Sequence, residues 1–108
     1  MKLAILNTTI ATTDGTYEIK SISLDEAKEL INKNQGNLDS AVGHQSTADV
    51  MTTLLNNEVP MNRQMFLQKP GQVALVFKLN GRPPEGKILT PVEIEEIGYS
   101  FKTMTRTK

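Results

Sequence analysis

The chain has no cysteine and no tryptophan, a single histidine, and aromatic side chains at only 5% of its 108 positions. Without thiols there can be no disulfides, zinc-thiolate sites, iron-sulfur clusters or cysteine nucleophiles, and a cytoplasmic home fits that usage. A dominant charge is missing too: 12 Lys and Arg balance 12 Asp and Glu. No overall field therefore draws the protein to duplex DNA or to an anionic membrane, and any polyanion it binds must be met by a local cluster. The longest apolar runs, such as Val73 to Phe77, fall far short of the roughly 20 residues needed to cross a bilayer. Leu3 to Leu6 meets the polar Asn7 too soon for a signal peptide, so neither export nor membrane anchoring is expected. The phosphate-binding patterns G-x-x-x-x-G-K-[ST] and G-x-G-x-x-G and the G-x-S-x-G nucleophile elbow are absent, which removes support for nucleoside triphosphate chemistry and acyl transfer. One histidine and scattered carboxylates give no cluster at ligand spacing, so neither a metal nor another cofactor is expected.

What remains is 38% hydrophobic and 22% charged, enough for one core and one domain spanning residues 1–108. Leu3 to Leu6 reads as a buried strand delivering the polar Asn7-Thr8-Thr9 loop. Asp14-Gly15, with β-branched residues on both sides, predicts a hairpin or wide turn between Ile10–Thr12 and Tyr17–Ile19. Ser23-Leu24-Asp25-Glu26 is a capping box, and Leu24, Ala27, Leu30 and Ile31 line one face of a helix over 24–34. Leu38 to Val42 reads as a short strand running into Gly43-His44-Gln45-Ser46-Thr47. Helical spacing from Ala48 through Leu55 follows, closed by Asn56, Asn57 and Pro60. Arg63 to Leu67 and Val73 to Leu79 read as strands, the second apolar enough for mid-sheet. Thr90-Pro91-Val92-Glu93 is a second capping box, with Gly98 ending a short helix. Tyr99 to Met104 alternates as a last strand, with Thr105 to Lys108, including Arg106, as a tail. The sum is an α/β (α+β) fold, a mixed sheet of about five strands flanked by about three helices.

Acid–base chemistry near neutrality is most simply placed on His44, the only histidine. It follows a strand and Gly43 and precedes Ser46 and Thr47, so backbone N–H groups, hydroxyls and a helix dipole would converge beside the imidazole, an arrangement suited to phosphate. The plainer alternative makes Gly43 a turn residue and Ser46 or Thr47 a helix cap. Of three arginines, Arg63 and Arg82 fall beside loops at strand ends, where a forked guanidinium can grip a phosphate. Arg82 and Glu85, separated by a stiff Pro-Pro step, can frame a ligand or simply pair at the surface.

Asn7 after the first strand, Ala41-Val42-Gly43-His44-Gln45-Ser46-Thr47, Asn62-Arg63 and Arg82-Pro83-Pro84-Glu85-Gly86-Lys87-Ile88-Leu89 together resemble the type III anti-CRISPR ring nucleases, small viral and prophage cyclic tetra-adenylate phosphodiesterases. The similarity covers nearly the whole chain, and G-H-x-S-T and R-x-x-E-G-K-x-L are its most specific parts. It implies a homodimer that binds cyclic tetra-adenylate, the messenger of type III CRISPR defence, and cuts it without a metal to linear di-adenylate with a 2′,3′-cyclic phosphate. It implies further that His44 is the general acid and that Arg82 and Glu85 orient and stabilise the reacting groups. Arg63 and Lys87 would bind the ligand together with Asn7, Thr8, Gly43, Ser46 and Thr47. The setting would be the host cytoplasm if the gene is viral or prophage-encoded. The longer Thr12-Thr13-Asp14-Gly15 stretch departs from archaeal viral members at the rim of the pocket.

Two other classes compete with this enzyme. A sensor or sponge would bind a cyclic oligonucleotide without cutting it. A DNA-binding regulator is disfavoured by neutral charge and by the lack of a basic recognition helix.

Overall fold

Two of the three helices begin with the reciprocal hydrogen bonds their sequences predict. In the computed structural model, which describes residues 1–81 and 89–108, Ser23 caps α1 (Leu24–Lys33) and Thr90 caps α3 (Pro91–Ile97), each in a complete capping box with Glu26 or Glu93. The remaining helix, α2, runs Gln45–Leu55 and ends at Asn56 in the left-handed conformation. Five strands complete the described fold: β1 (Leu3–Leu6), β2 (Tyr17–Ile22), β3 (Leu38–Ser40), β4 (Val73–Leu79) and β5 (Tyr99–Arg106). None of the helices is long and apolar enough to cross a membrane among the described residues.

The strands form one mixed sheet in the order β2-β5-β4-β1-β3. β1 lies parallel to both β3 and β4, whereas β5 runs antiparallel to β4 and β2. Successive side chains of a strand point to opposite faces, so Leu75 and Phe77 enter one core while Ala74 and Val76 enter another. The first core joins Leu3, Ile5, Leu75, Phe77 and Phe101 to the inner faces of all three helices, through residues such as Ile31, Met51 and Ile94. The second comprises Ala4, Leu6, Ala74, Val76 and Met104 and is covered by Tyr17, Ala41 and Phe66. Among the described residues the molecule has two layers, with helices on one face of the sheet.

Those three covering residues come from connections and strand ends, which explains where the sequence reading fails. β1 and β2 are separated by β4 and β5, so 7–16 is a crossing rather than a hairpin. Thr9 borders a depression of about 290 Å³ with Val76, Lys78 and Lys102 on the helix-free face. Further on, the Asp14 carbonyl accepts from Arg106 Nη2 at 2.9 Å. A Cβ on Gly15 would lie 2.5 Å from the Lys108 carbonyl oxygen, so glycine is required there by close approach.

Residues 63–67 form no strand. The segment runs beside β3 but is held by side chains, with Gln64 Nε2 donating to the Ser40 carbonyl at 2.7 Å and to Asp39 Oδ1 at 3.0 Å. Nor is 105–108 simply a tail. β5 continues to Arg106, whose Nη1 donates to the Gln68 carbonyl at 2.7 Å, and Thr107 N–H donates to the Thr16 carbonyl at 2.8 Å.

Candidate functional site

The parallel strands β1, β3 and β4 deliver their carboxyl ends to the same edge of the sheet, the place where open α/β sheets hold ligands. Asn7 and Thr8 leave β1 there. The Ala41 N–H donates to the Ile5 carbonyl at 2.9 Å, so the β3 exit, Val42-Gly43-His44, stands beside the β1 exit. β4 ends in the same place, at Asn80 and Gly81, and Asn80 N–H is fixed to the Gly98 carbonyl at 2.9 Å. Gly98 has φ +85°, and a Cβ on it would come within 2.8 Å of Asn80 Nδ2, which explains the glycine at that helix end. Arg82, Glu85 and Lys87 lie outside the described residues; the chain enters their segment from Gly81 at this edge and leaves it at the buried Leu89.

His44 is the N-cap of α2, in extended conformation, and its side chain makes no capping bond. The reading in which Ser46 or Thr47 caps the helix is therefore corrected: helical dihedrals begin at Gln45, and both hydroxyl residues sit inside the first turn. Backbone N–H groups of that turn have no intrahelical partner. α2 also lacks an acidic residue in its first turn, whereas α1 and α3 each place Glu there. The positive end of the α2 dipole is left uncompensated by side chains of its own helix. His44 is solvent-exposed, and Ser46 and Thr47 are half-buried.

Gly43 lies where the chain turns from β3 into α2, but the turn does not require glycine. It is absent from the left-handed glycines, and a Cβ there would meet only Arg63, at 3.8 Å or more. Arg63, placed with the ligand by sequence, turns its Nε and Nη2 to the Gly43 carbonyl at 3.3 and 3.0 Å. Its Nη1 makes no hydrogen bond to another described residue. The guanidinium thus braces the turn and keeps a free edge beside it.

Sequence reasoning missed the rest of that brace. Ser40 Oγ donates to the Pro60 carbonyl at 2.7 Å and accepts from Val42 N–H at 3.3 Å. Asn62 donates its side-chain amide to the Ser40 carbonyl and its backbone N–H to the Val42 carbonyl, both at 2.9 Å. Only the Asn62-Arg63 pair drew notice in the sequence; nothing there singles out Ser40. A depression of about 480 Å³ between Met1, Asp39, Phe66 and Gln72 contains none of the predicted site residues. Asn7, Thr8, Gly43 and His44 follow strand ends at the carboxyl edge, where Arg63 is tied to the Gly43 carbonyl.

The chain is thus a two-layer α+β domain with an exposed imidazole and a helix N-terminus that no side chain caps at the ends of parallel strands, beside a guanidinium. The family model described as STIV B116-like matches residues 3–101, and the chain belongs to that family. It is 36% identical over 106 residues to the uncharacterised protein YddF of Bacillus subtilis strain 168, covering 98% of each chain. It is also 39% identical over 83 residues to uncharacterised protein 26 of Sulfolobus islandicus filamentous virus, isolate Iceland/Hveragerdi, covering 76% of this chain and 69% of the relative. Among solved structures, B116 of Sulfolobus turreted icosahedral virus superposes with a TM-score of 0.84 at 26% identity, covering 98% of this chain and all of that one.

Proposed function

We propose that this protein is a metal-independent ring nuclease that binds cyclic tetra-adenylate as a homodimer and cuts it to linear di-adenylate, switching off type III CRISPR signalling. The observation that carries the reading is the position of His44. Its exposed imidazole stands on an uncapped helix N-terminus at the carboxyl edge of the parallel strands, beside a turn braced by Arg63. A four-nucleotide ring has two-fold symmetry, and a two-fold dimer presents His44 to two opposite phosphates.

In this reading the ribose 2′-OH attacks the adjacent phosphorus in line, its proton passing to solvent water, and the bond to the 5′ oxygen breaks. His44 gives its proton to the departing oxygen, and a 2′,3′-cyclic phosphate remains on each di-adenylate. The α2 N-terminus, the free edge of Arg63, and Lys87 face the phosphate charge. Asn7, Thr8, Gly43, Ser46 and Thr47 line the ring, and Arg82 and Glu85 complete the catalytic group. Holding the 2′-OH in line supplies several kcal/mol, and a positioned acid adds about 10²-fold to 10⁴-fold.

The test is incubation with labelled cyclic tetra-adenylate in EDTA, beside His44→Ala, with chromatography of the products. Conversion to di-adenylate that disappears in the variant is the expected result. A tightly bound but intact ring identifies a sponge instead, and neither binding nor cutting overturns both.

A further inference from the structure

The turn that carries His44 has almost no secondary structure of its own between the end of β3 and the start of α2, yet its backbone polar groups are paired one after another. The Ser40 carbonyl accepts from Asn62 Nδ2 and Gln64 Nε2 at 2.9 and 2.7 Å. Val42 N–H goes to Ser40 Oγ and the Val42 carbonyl to Asn62 N–H. The Gly43 carbonyl takes Arg63. Every one of these partners except Ser40 itself belongs to the segment 60–64, and Ser40 Oγ reaches that segment through the Pro60 carbonyl at 2.7 Å. Ser40 is 6% exposed, so its hydroxyl works away from competing water, where an interrupted network is most strongly felt.

We infer that Ser40 and Asn62 are positioning residues that set the height and direction of the His44 imidazole by tying the β3–α2 turn to the 60–64 segment. The consequence for cleavage rests on the ring-nuclease reading; the consequence for the turn does not. Arg63 grips one atom from outside, whereas Ser40 and Asn62 fix the turn from both sides of the contact, β3 and the 60–64 segment. Because the His44 imidazole makes no hydrogen bond among the described residues, its place is determined by the backbone beneath it, where the His44 carbonyl accepts from Ala48 N–H at 3.0 Å. A displacement near 1 Å at a reacting group costs about 10²-fold in rate.

The experiment compares the wild type with Asn62→Ala, Ser40→Ala and the hydroxyl-retaining Ser40→Thr. It follows kcat and KM on labelled cyclic tetra-adenylate, together with the NMR signals of the His44 ring and amide exchange at Val42 to His44. Asn62 is exposed, so its variant tests the idea even if the buried Ser40→Ala fails to fold. Expected are a fall in kcat of about 10-fold to 100-fold with KM changed less than about threefold, shifted His44 ring signals, and recovery of most of the rate in Ser40→Thr. If the wild type leaves the ring intact while Asn62→Ala still shifts the ring signals, the nuclease reading falls and the positioning of His44 stands. If the wild type cuts and Asn62→Ala cuts at the same kcat with unmoved ring signals, the positioning inference is overturned and the nuclease reading survives.

Discussion

Arg63 closes on the carbonyl oxygen of Gly43 through Nε and Nη2, at 3.3 and 3.0 Å, so one guanidinium is committed to the protein on one side and open on the other. Only a planar fork can do both. Arg63→Lys is therefore expected to keep the charge and lose the brace. Fluorescence binding of cyclic tetra-adenylate at fixed salt is predicted to weaken by about tenfold or more, equivalent to roughly 1.4 kcal/mol.

His44 occupies a cap position that its side chain does not serve. Asp at the same place would accept from the first-turn N–H groups and complement the dipole. His44→Asp is predicted to raise unfolding stability by about 1 kcal/mol in urea titrations while abolishing ring cleavage. A stability loss would show that the imidazole packs in a way that the present geometry does not contain.

Arg106 joins two distant pieces of chain to its own end of β5, donating to the Gln68 and Asp14 carbonyls at 2.7 and 2.9 Å and to the nearby Lys108 oxygen at 3.0 Å. Arg106→Ala removes the guanidinium from all three oxygens and leaves only Thr13 Oγ1 and Thr16 N–H, each at 3.4 Å, on those of Gln68 and Lys108. A loss of about 2 kcal/mol is expected in equilibrium unfolding, with ring cleavage intact at temperatures where the variant remains folded.

Tyr99 donates its phenol to Glu95 Oε1 at 2.8 Å. Burial, followed by the bond to and charge of Glu95, pushes its pKa up from 10.0 to about 12. The folded state therefore keeps the proton over a range in which the unfolded chain releases it. The resulting stability is complete below pH 10 and is lost as pH rises through about 12. Absorbance titration of the phenolate is expected to show a late step near that pH, absent in Tyr99→Phe.

Local signals were legible in the sequence and distant ones were not. Ser23 with Glu26 and Thr90 with Glu93 sit three residues apart, so both helix starts could be read directly. The apolar run of β4 likewise announced a central strand. Asp14-Gly15 suggested a hairpin because a turn is visible while the strand it returns to is not; β2 pairs with β5, 79 to 89 residues on. Arg63 to Leu67 has strand-like composition, but Asn62 and Gln64 spend side-chain amides where a ladder would spend backbone. Arg106 read as tail because its partner Asp14 is 92 residues away. For the site, strand order brings Asn7 and Thr8 to the same edge as Gly43 and His44. Arg82, Glu85 and Lys87 lie outside the described residues.

The helices cover one face of the sheet, and the other is closed in part by Phe66 and Ala41 from the same connections that carry Arg63 and His44. In the ring-nuclease reading, recognition and shelter are consequently assigned to the same lengths of chain. A ligand that steadies those connections also keeps water from Ala4, Ala74 and Met104 on the rear of the sheet. Drift in either connection would be felt twice, as poorer affinity and as a wetter sheet, so variation tolerated in this molecule has to satisfy both demands at once.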